Sequence, residues 1–159
     1  MVNQKTLKQF LEQHGSFRID LKKLEGDWNE VSADSSLEGK KVVAFYFSAH
    51  WCPPCRAFTP ILKDAYEEYL KESSDIEIVF VSSDRSLEDM KEYMKSSHGK
   101  WLAIPHNSEL GAALKSKFSI QGIPALIVCK CDGSVITKEG RVDVQRAGPE
   151  GMKPWLKMI

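Results

Sequence analysis

The chain has 159 residues, 42% of them hydrophobic and 28% charged, which is the composition of a soluble globular protein. Lysine and arginine together number 22, as do aspartate and glutamate, so the formal net charge is zero. This balance argues against a general binder of nucleic acid or of membrane surfaces, because such proteins carry an excess of basic side chains. The length suits one domain with a substantial core, and we predict a single domain over residues 1–159.

The first part of the chain gives the weakest pattern. We assign residues 1–40 to an N-terminal extension or strand region and residues 41–159 to the core of the domain. Residues 6–13 fit either a short helix or an extended lead-in, and residues 37–40 are typical of a turn. A strand is indicated where apolar residues alternate with polar ones, at Phe17, Ile19 and Leu21.

Strands and helices alternate from there on. The continuous apolar run 42–47 predicts a strand buried on both faces, and Pro53 opens a helix that extends to Leu70. The alternation predicts an α/β fold with a central mixed sheet and helices on both faces. The later elements are a strand at 76–81, a helix capped by Ser86, an extended segment at 101–105, a helix that begins at Asn107 or Ser108, strands at 125–129 and 135–137 joined by an Asp-Gly turn, and a terminal helix within 148–158.

The pattern also bears on cellular location. Residues 1–11 mix polar and apolar side chains and lack the apolar stretch of a signal peptide, and the apolar runs are far shorter than the roughly 20 residues that cross a bilayer. We therefore expect a reducing compartment, the cytoplasm or also the nucleus, without membrane association. Structural disulfides are uncommon there, so the 4 cysteines indicate redox-active, metal-binding or buried thiols.

Cys52 and Cys55 form a C-x-x-C motif in the loop that joins the first buried strand to its helix. This spacing allows the two sulfurs to bond across the first helical turn. The helix N-terminus presents unpaired N–H groups and a partial positive charge, both of which favour a thiolate at the first cysteine. A thiolate attacks a substrate disulfide, and a second thiol then resolves the mixed disulfide. We predict Cys52 as the nucleophile and the more buried Cys55 as the resolving cysteine.

Pro53 and Pro54 lie between the two cysteines. Proline is tolerated at the start of a helix because its missing N–H would have no helical partner there. The two prolines stiffen the ring that forms on oxidation and remove N–H groups that could bond the sulfur. We therefore expect a less stabilised thiolate than in a glycine-containing motif, which favours a reductant over an oxidant.

Other readings of the cysteines stay open at this point. A C-x-x-C is also half of many zinc sites, and Cys129 with Cys131 could supply the other two thiolates. A C-x-x-C between a strand and a helix is instead typical of redox chemistry. Cys129 and Cys131 share one face of a predicted strand, and we interpret them as packed thiols or as a regulatory redox pair.

The motif lies in a longer segment, 45–60, with the sequence Phe-Tyr-Phe-Ser-Ala-His-Trp-Cys-Pro-Pro-Cys-Arg-Ala-Phe-Thr-Pro. This segment resembles the active-site segment of nucleoredoxins and tryparedoxins, which belong to the thioredoxin superfamily. The resemblance continues in three further segments, 79–85, 101–105 and 120–128, and in short motifs near residues 140 and 148. Together these parts cover about residues 40–155. It implies a thioredoxin-like fold.

The resemblance also implies roles for individual residues. Cys52 is similar to the attacking cysteine of that family and Cys55 to the resolving one. Pro124 matches a cis-proline that faces the disulfide, and Ile123 matches a residue whose backbone meets the substrate chain. The substrate-binding residues that the resemblance implies are Trp51, Pro53, Pro54, Ile123 and Pro124.

One departure concerns the position six residues before Cys52. Ordinary thioredoxins carry a buried acidic residue there that aids proton transfer to the resolving cysteine, whereas this chain has Tyr46. Nucleoredoxins and tryparedoxins share the aromatic residue, so the departure supports the resemblance. It also removes the obvious general base.

Several charged residues near the motif are weaker candidates. A protonated His50 could favour the thiolate, Arg56 adds positive charge, and Asp84 with Arg85 could pair with each other or contact a substrate.

Taken together, we predict a monomeric protein-disulfide reductase without a bound cofactor, which receives electrons from a reductase or a glutathione-type thiol donor. The alternatives are a redox-sensitive binding module that regulates a protein partner, and a structural zinc protein.

Overall fold

The computed structural model describes residues 20–25, 27–32, 37 and 39–159. The predicted segment 6–13 and the strand residues Phe17 and Ile19 lie outside these ranges, so the single domain over the whole chain stays a prediction. The elements in chain order are β1 (Asp20–Glu25), β2 (Asp27–Ser32), β3 (Val42–Ser48), α1 (Pro53–Leu70), β4 (Ile76–Ser82), α2 (Leu87–Ser97), β5 (Leu102–Ala103), α3 (Glu109–Lys117), β6 (Ala125–Lys130), β7 (Val135–Thr137), α4 (Gly140–Ala147), a 3₁₀ turn (Gly148–Gly151) and α5 (Lys153–Leu156).

The strands of the described ranges form one mixed sheet in the order β2-β1-β5-β4-β3-β6-β7. β3 pairs with β4, and β4 with β5, in parallel, whereas β6 and β7 continue the sheet in antiparallel fashion. This arrangement confirms the predicted mixed α/β sheet and its closing hairpin. At the other edge β1 and β2 form an antiparallel hairpin, of which the sequence indicated only the first strand through Leu21.

The core lies on both faces of β3, in which all seven residues are buried. Alternate residues of the strand enter two separate apolar clusters, which explains why its sequence is apolar without interruption. One cluster contains side chains of α1, α2 and α4, and the other contains side chains of α3. Helices therefore cover both faces of the sheet, as predicted.

The starts of two helices follow from their capping residues. The Ser86 hydroxyl accepts the Asp89 N–H at 3.1 Å at the start of α2, and the Ser108 hydroxyl accepts the Gly111 N–H at 3.2 Å at the start of α3. The second bond decides between the two predicted starts of α3 in favour of Ser108.

Among the residues that the structure describes, no helix combines the length and apolar content needed to cross a membrane.

The C-terminal region differs from the prediction of one helix within 148–158. A separate helix, α4, precedes it, and the predicted segment is divided into a 3₁₀ turn and α5. The sequence did not indicate α4 because it begins with Gly140 and has no side-chain cap. A Cβ at Gly140 would lie 2.8 Å from Val128 Cγ2 and 2.9 Å from the Leu126 carbonyl, so glycine lets α4 pack closely on β6.

His98 is a strongly perturbed titratable group of the core. Its ring meets Phe80 and Tyr93 at nearly right angles, with ring centroids 4.4 Å apart in both pairs. Its Nδ1 accepts the Trp101 indole N–H at 3.0 Å, so the neutral ring carries its hydrogen on Nε2. Burial, with a smaller contribution from His50, lowers the pKa of His98 from its ordinary 6.5 to about 3.

We expect this histidine to make folding sensitive to acid. The unfolded chain binds a proton at His98 near pH 6.5 and the folded chain only near pH 3. The contribution of His98 to the free energy of unfolding is therefore complete above pH 6.5. It falls as the pH decreases towards 3, by up to about 1.4 kcal/mol per pH unit.

Urea unfolding between pH 7 and pH 4 measures this dependence in the wild type and in His98→Gln, whose amide oxygen can still accept the Trp101 N–H. The carboxylates titrate in both proteins, so the difference between the two curves isolates His98. The variant should lose less stability per pH unit; parallel curves would contradict the assignment.

Candidate active site

The C-x-x-C segment lies just beyond the carboxyl end of β3. Cys52 is the residue that precedes α1, with extended backbone (φ −94°, ψ 112°), and Pro53 and Pro54 are the first two helical residues. Cys55 is therefore the first residue of α1 that carries a backbone N–H. Cys52 is 5% exposed and Cys55 is 0% exposed, and both are free thiols. The structure thus places Cys52 at the edge of the loop and Cys55 behind it, as the sequence indicated.

The two thiols contact each other, and burial dominates the behaviour of the inner one. Burial raises the pKa of the Cys55 thiol to about 11, and its hydrogen bond with the Cys52 side chain adds to that increase. The Ser48 hydroxyl and the Ala49 backbone act in the opposite direction, because both bond the Cys55 sulfur. Cys55 therefore needs help from its surroundings before it can act as a nucleophile near neutral pH.

The wall opposite Cys52 is formed by the segment that leads into β6. The Cys52 thiol donates to the Ile123 carbonyl at 3.7 Å, and the Ile123–Pro124 peptide bond is cis. Ile123 also packs against the small apolar cluster of Ala49 and the two cysteines. The structure therefore brings Ile123 and Pro124 to the cysteine pair, although Ile123 lies 71 residues along the chain from Cys52.

Trp51 forms an exposed apolar surface beside the pair. Its side chain is 50% exposed, while its indole N–H donates to the Ser83 carbonyl at 2.9 Å. The guanidinium carbon of Arg85 lies 5.8 Å from the centre of the indole ring, within the range of a cation–π contact. The indole is therefore held in one orientation although half of it faces solvent.

Asp84 anchors the active-site loop to the end of β4. Its carboxylate accepts the His50 backbone N–H at 2.7 Å and the Ser82 hydroxyl at 2.7 Å, and it is only 7% exposed. Arg56 adds a second restraint, because its guanidinium donates to the His50 carbonyl at 2.8 Å. Both residues therefore bond the loop backbone, a role that the sequence did not suggest. The His50 ring stacks on Tyr93, with centroids 4.9 Å apart and an interplanar angle of 7°.

This geometry agrees with comparisons to known proteins. Residues 39–135 match a family model described as thioredoxin-like. The chain belongs to the thioredoxin-like family. Mouse nucleoredoxin is 49% identical over 111 residues, which are 69% of this chain and 25% of that protein, so the chain spans about a quarter of its length.

Two solved structures extend the likeness to the fold. The crystal structure of thioredoxin from Wuchereria bancrofti is 52% identical with a TM-score of 0.76, and the match covers 89% of this chain and 96% of that one. Tryparedoxin II from C. fasciculata is 34% identical with a TM-score of 0.76, covering 91% of this chain and 97% of that one. The resemblance to nucleoredoxins and tryparedoxins is confirmed, and membership of this family supports thiol–disulfide oxidoreductase chemistry in general.

A buried hydroxyl network behind Cys55 is the feature that sequence reasoning missed. The Ser48 hydroxyl bonds the Tyr93 hydroxyl at 2.6 Å, and the Tyr46 hydroxyl bonds the Thr59 hydroxyl at 2.6 Å. Thr59 also bonds Tyr93, which joins the two pairs. These residues come from β3, α1 and α2, and each lies in a stretch whose pattern indicates core packing. The one available signal was Tyr46 at the position of the acidic residue of ordinary thioredoxins.

Cys129 and Cys131 lie at the far end of β3 from Cys52 and Cys55. Cys129 pairs with Val43 near the start of β3, whereas Cys52 follows its end, which puts the two sites about 17 Å apart along the strand. The four thiols therefore do not converge, and the predicted alternative of a shared zinc site is wrong. Within the described ranges, no group of three or more histidines, cysteines and acidic residues could hold a metal ion.

Both of these cysteines are packed thiols. They are 0% exposed and belong to the same apolar cluster, and the Cys131 thiol donates to the Lys40 carbonyl at 2.8 Å. Burial raises the pKa of Cys129 to about 12 and that of Cys131 to about 11. Packing thus agrees with the first of their two interpretations, and the regulatory pair stays untested.

We expect alkylation of the folded, reduced protein to distinguish the four cysteines. Brief treatment with iodoacetamide at pH 8, followed by peptide mass mapping, should modify Cys52 first, because it alone of the four is exposed at all. Cys55, Cys129 and Cys131 should react only after denaturation in urea, which serves as the control for full accessibility. Modification of Cys129 at the rate of Cys52 would show that the core around β6 opens more readily than its packing indicates.

Proposed function

We propose that this chain reduces disulfides in proteins through Cys52 and Cys55. The observation that carries the proposal is the pairing of a slightly exposed thiol at the start of α1 with a buried thiol bonded behind it. A single thiol could form a mixed disulfide but would need an external thiol to release it. A second thiol within bonding reach completes a two-electron cycle.

The cycle has two exchange steps. The Cys52 thiolate attacks one sulfur of the substrate disulfide, that S–S bond breaks, and the departing sulfur takes up a proton. The Cys55 thiol then loses its proton and attacks the Cys52 sulfur. The mixed disulfide breaks, the second substrate sulfur leaves and is protonated, and a Cys52–Cys55 disulfide remains. Two electrons have passed from the dithiol to the substrate.

The surface around Cys52 favours an extended peptide as substrate. Trp51, Pro53 and Pro54 are exposed and apolar, and they lie on the side of the loop that faces solvent. Ile123 offers its backbone directly beside the Cys52 sulfur, where a substrate backbone could pair with it. A disulfide in an exposed loop of a protein fits this narrow opening better than one inside a rigid core.

The dithiol must be regenerated by an external thiol. We propose a reductase or a glutathione-type thiol as the electron donor, because another thiol–disulfide exchange at Cys52 returns both sulfurs to the reduced state. This chemistry is carried by the sulfurs themselves and requires no bound organic cofactor. A monomeric state and a location in the cytoplasm or nucleus stay predictions.

Insulin reduction with dithiothreitol as the electron source tests the proposal. Cys52→Ser should reduce the rate to that of dithiothreitol alone, because no mixed disulfide can form. Cys55→Ser, reduced and then mixed with insulin after the dithiothreitol has been removed, should accumulate a mixed disulfide between Cys52 and the substrate, visible by non-reducing electrophoresis and mass spectrometry. Cys129→Ala is the matched control and should retain wild-type activity, since Cys129 lies at the other end of the sheet.

A wild-type protein without turnover would overturn the reductase proposal. If oxidation of the pair then changed the affinity for a protein partner, the redox-sensitive binding module would be the better description. Trapping through another cysteine in the Cys55→Ser protein would show that the roles of the two thiols are assigned wrongly.

A further inference from the structure

The resolving step faces an electrostatic difficulty. Cys55 must become a thiolate in order to attack Cys52, yet it is completely buried, and burial disfavours its charged form. The titratable groups that act on it are Cys52 from the loop and Tyr93 from α2. Behind Tyr93 lie Tyr46, the stacked His50 and the neutral His98. In the described part of the chain, none of the groups that act on Cys55 is a carboxylate.

One hydrogen bond determines which hydroxyl donates and which accepts throughout the network. The Thr59 hydroxyl donates its single proton to the Cys55 carbonyl at 2.8 Å, so the Thr59 oxygen can only accept from its other neighbours. Tyr46 and Tyr93 therefore both donate to Thr59. Since the proton of Tyr93 is used there, the Tyr93 oxygen accepts from Ser48.

This direction leaves the Ser48 oxygen free to accept a further hydrogen bond. Ser48 directly precedes Ala49, which packs with Cys55 in one buried cluster, and the thiol on which the Ser48 hydroxyl acts is that of Cys55. When Cys55 loses its proton, the Ser48 hydrogen can turn to the sulfur, and the Tyr93 hydroxyl can turn from Thr59 to the Ser48 oxygen. Every hydroxyl proton still has an acceptor after the change. The network can therefore serve either charge state of Cys55 by rotating two O–H bonds.

We propose that Ser48 is a catalytic residue of the resolving step, donating a hydrogen bond to the Cys55 thiolate while Tyr93 holds the serine oriented. The proposal rests on the proposed disulfide-reductase function. The proton released by Cys55 goes to a base in the solvent, and the departing substrate sulfur takes one up separately. Ser48 thus stabilises the anion and is itself neither oxidised nor reduced.

A two-phase reaction with Ellman's reagent separates the two thiols. Attack by Cys52 releases the first equivalent of thionitrobenzoate, and resolution by Cys55 releases the second. We expect Ser48→Ala to leave the first phase unchanged and to slow the second about tenfold at pH 7, the scale of a hydrogen bond to a charged group. The pH midpoint of the second phase should move upward by about one unit.

Two further variants complete the test. Ser48→Thr keeps the hydroxyl and suits a strand, so the second phase should return towards the wild-type rate. Tyr69→Phe removes a tyrosine hydroxyl that bonds Asp75 at the other end of α1, and it should alter neither phase.

An unshifted pH midpoint in Ser48→Ala would overturn the proposal, whatever happens to the rate. Equal slowing of both phases would also overturn it, because that indicates a general disturbance of the loop. The Cys55→Ser variant separates failure of the Ser48 proposal from failure of the proposed disulfide-reductase function. It should release one equivalent only, and a second equivalent from it would refute the resolving role of Cys55 itself.

Discussion

Desolvation of the inner thiol is the constraint on which the arrangement of this site depends. Cys55 is sealed by β3, by the loop before α1 and by its own helix, so no water stabilises a charge on its sulfur. A buried anion must then be met by hydrogen bonds from the protein. Ser48 and the Ala49 backbone supply such bonds, and both belong to the end of β3. The strand that carries the loop therefore also forms the environment of its second sulfur.

A buried thiolate can be stabilised either by a network of neutral hydroxyls, as here, or with the help of a buried carboxylate, and the two arrangements act differently. A carboxylate provides a base but is itself costly to bury without a partner. Hydroxyls carry no charge, and each can act as donor or acceptor. Burial raises the pKa of both Tyr46 and Tyr93, so they remain protonated and act only through hydrogen bonds. The site thus combines a neutral interior with one thiol near the surface.

The loop in front of the pair is held by polar bonds in addition to packing. Asp84 accepts the backbone N–H of His50, Arg56 donates to the His50 carbonyl, and the indole of Trp51 donates to the Ser83 carbonyl. Buried or charge-assisted bonds of this kind fix a backbone more tightly than exposed ones do. The result is that Cys52 keeps a constant position relative to Ile123, while the exposed half of Trp51 remains available to a partner.

Local sequence determined the strand–loop–helix unit that carries the cysteines, the capped start of α2, the start of α3 to within one residue, and the order of the elements from β3 to β7. Each depends on periodicity or capping within a few residues, which the chain contains directly. The network that joins Ser48 to Tyr93 and the separation of Cys129 from the cysteine pair were decided by tertiary structure alone. The closeness of Ile123 to Cys52 was implied by the family resemblance and by no local pattern. The physical reason is that these relations depend on strand register and on how helices pack across the sheet. The helix α4 begins with Gly140 and has no side-chain cap to mark it in the sequence, so only its close packing against β6 reveals it.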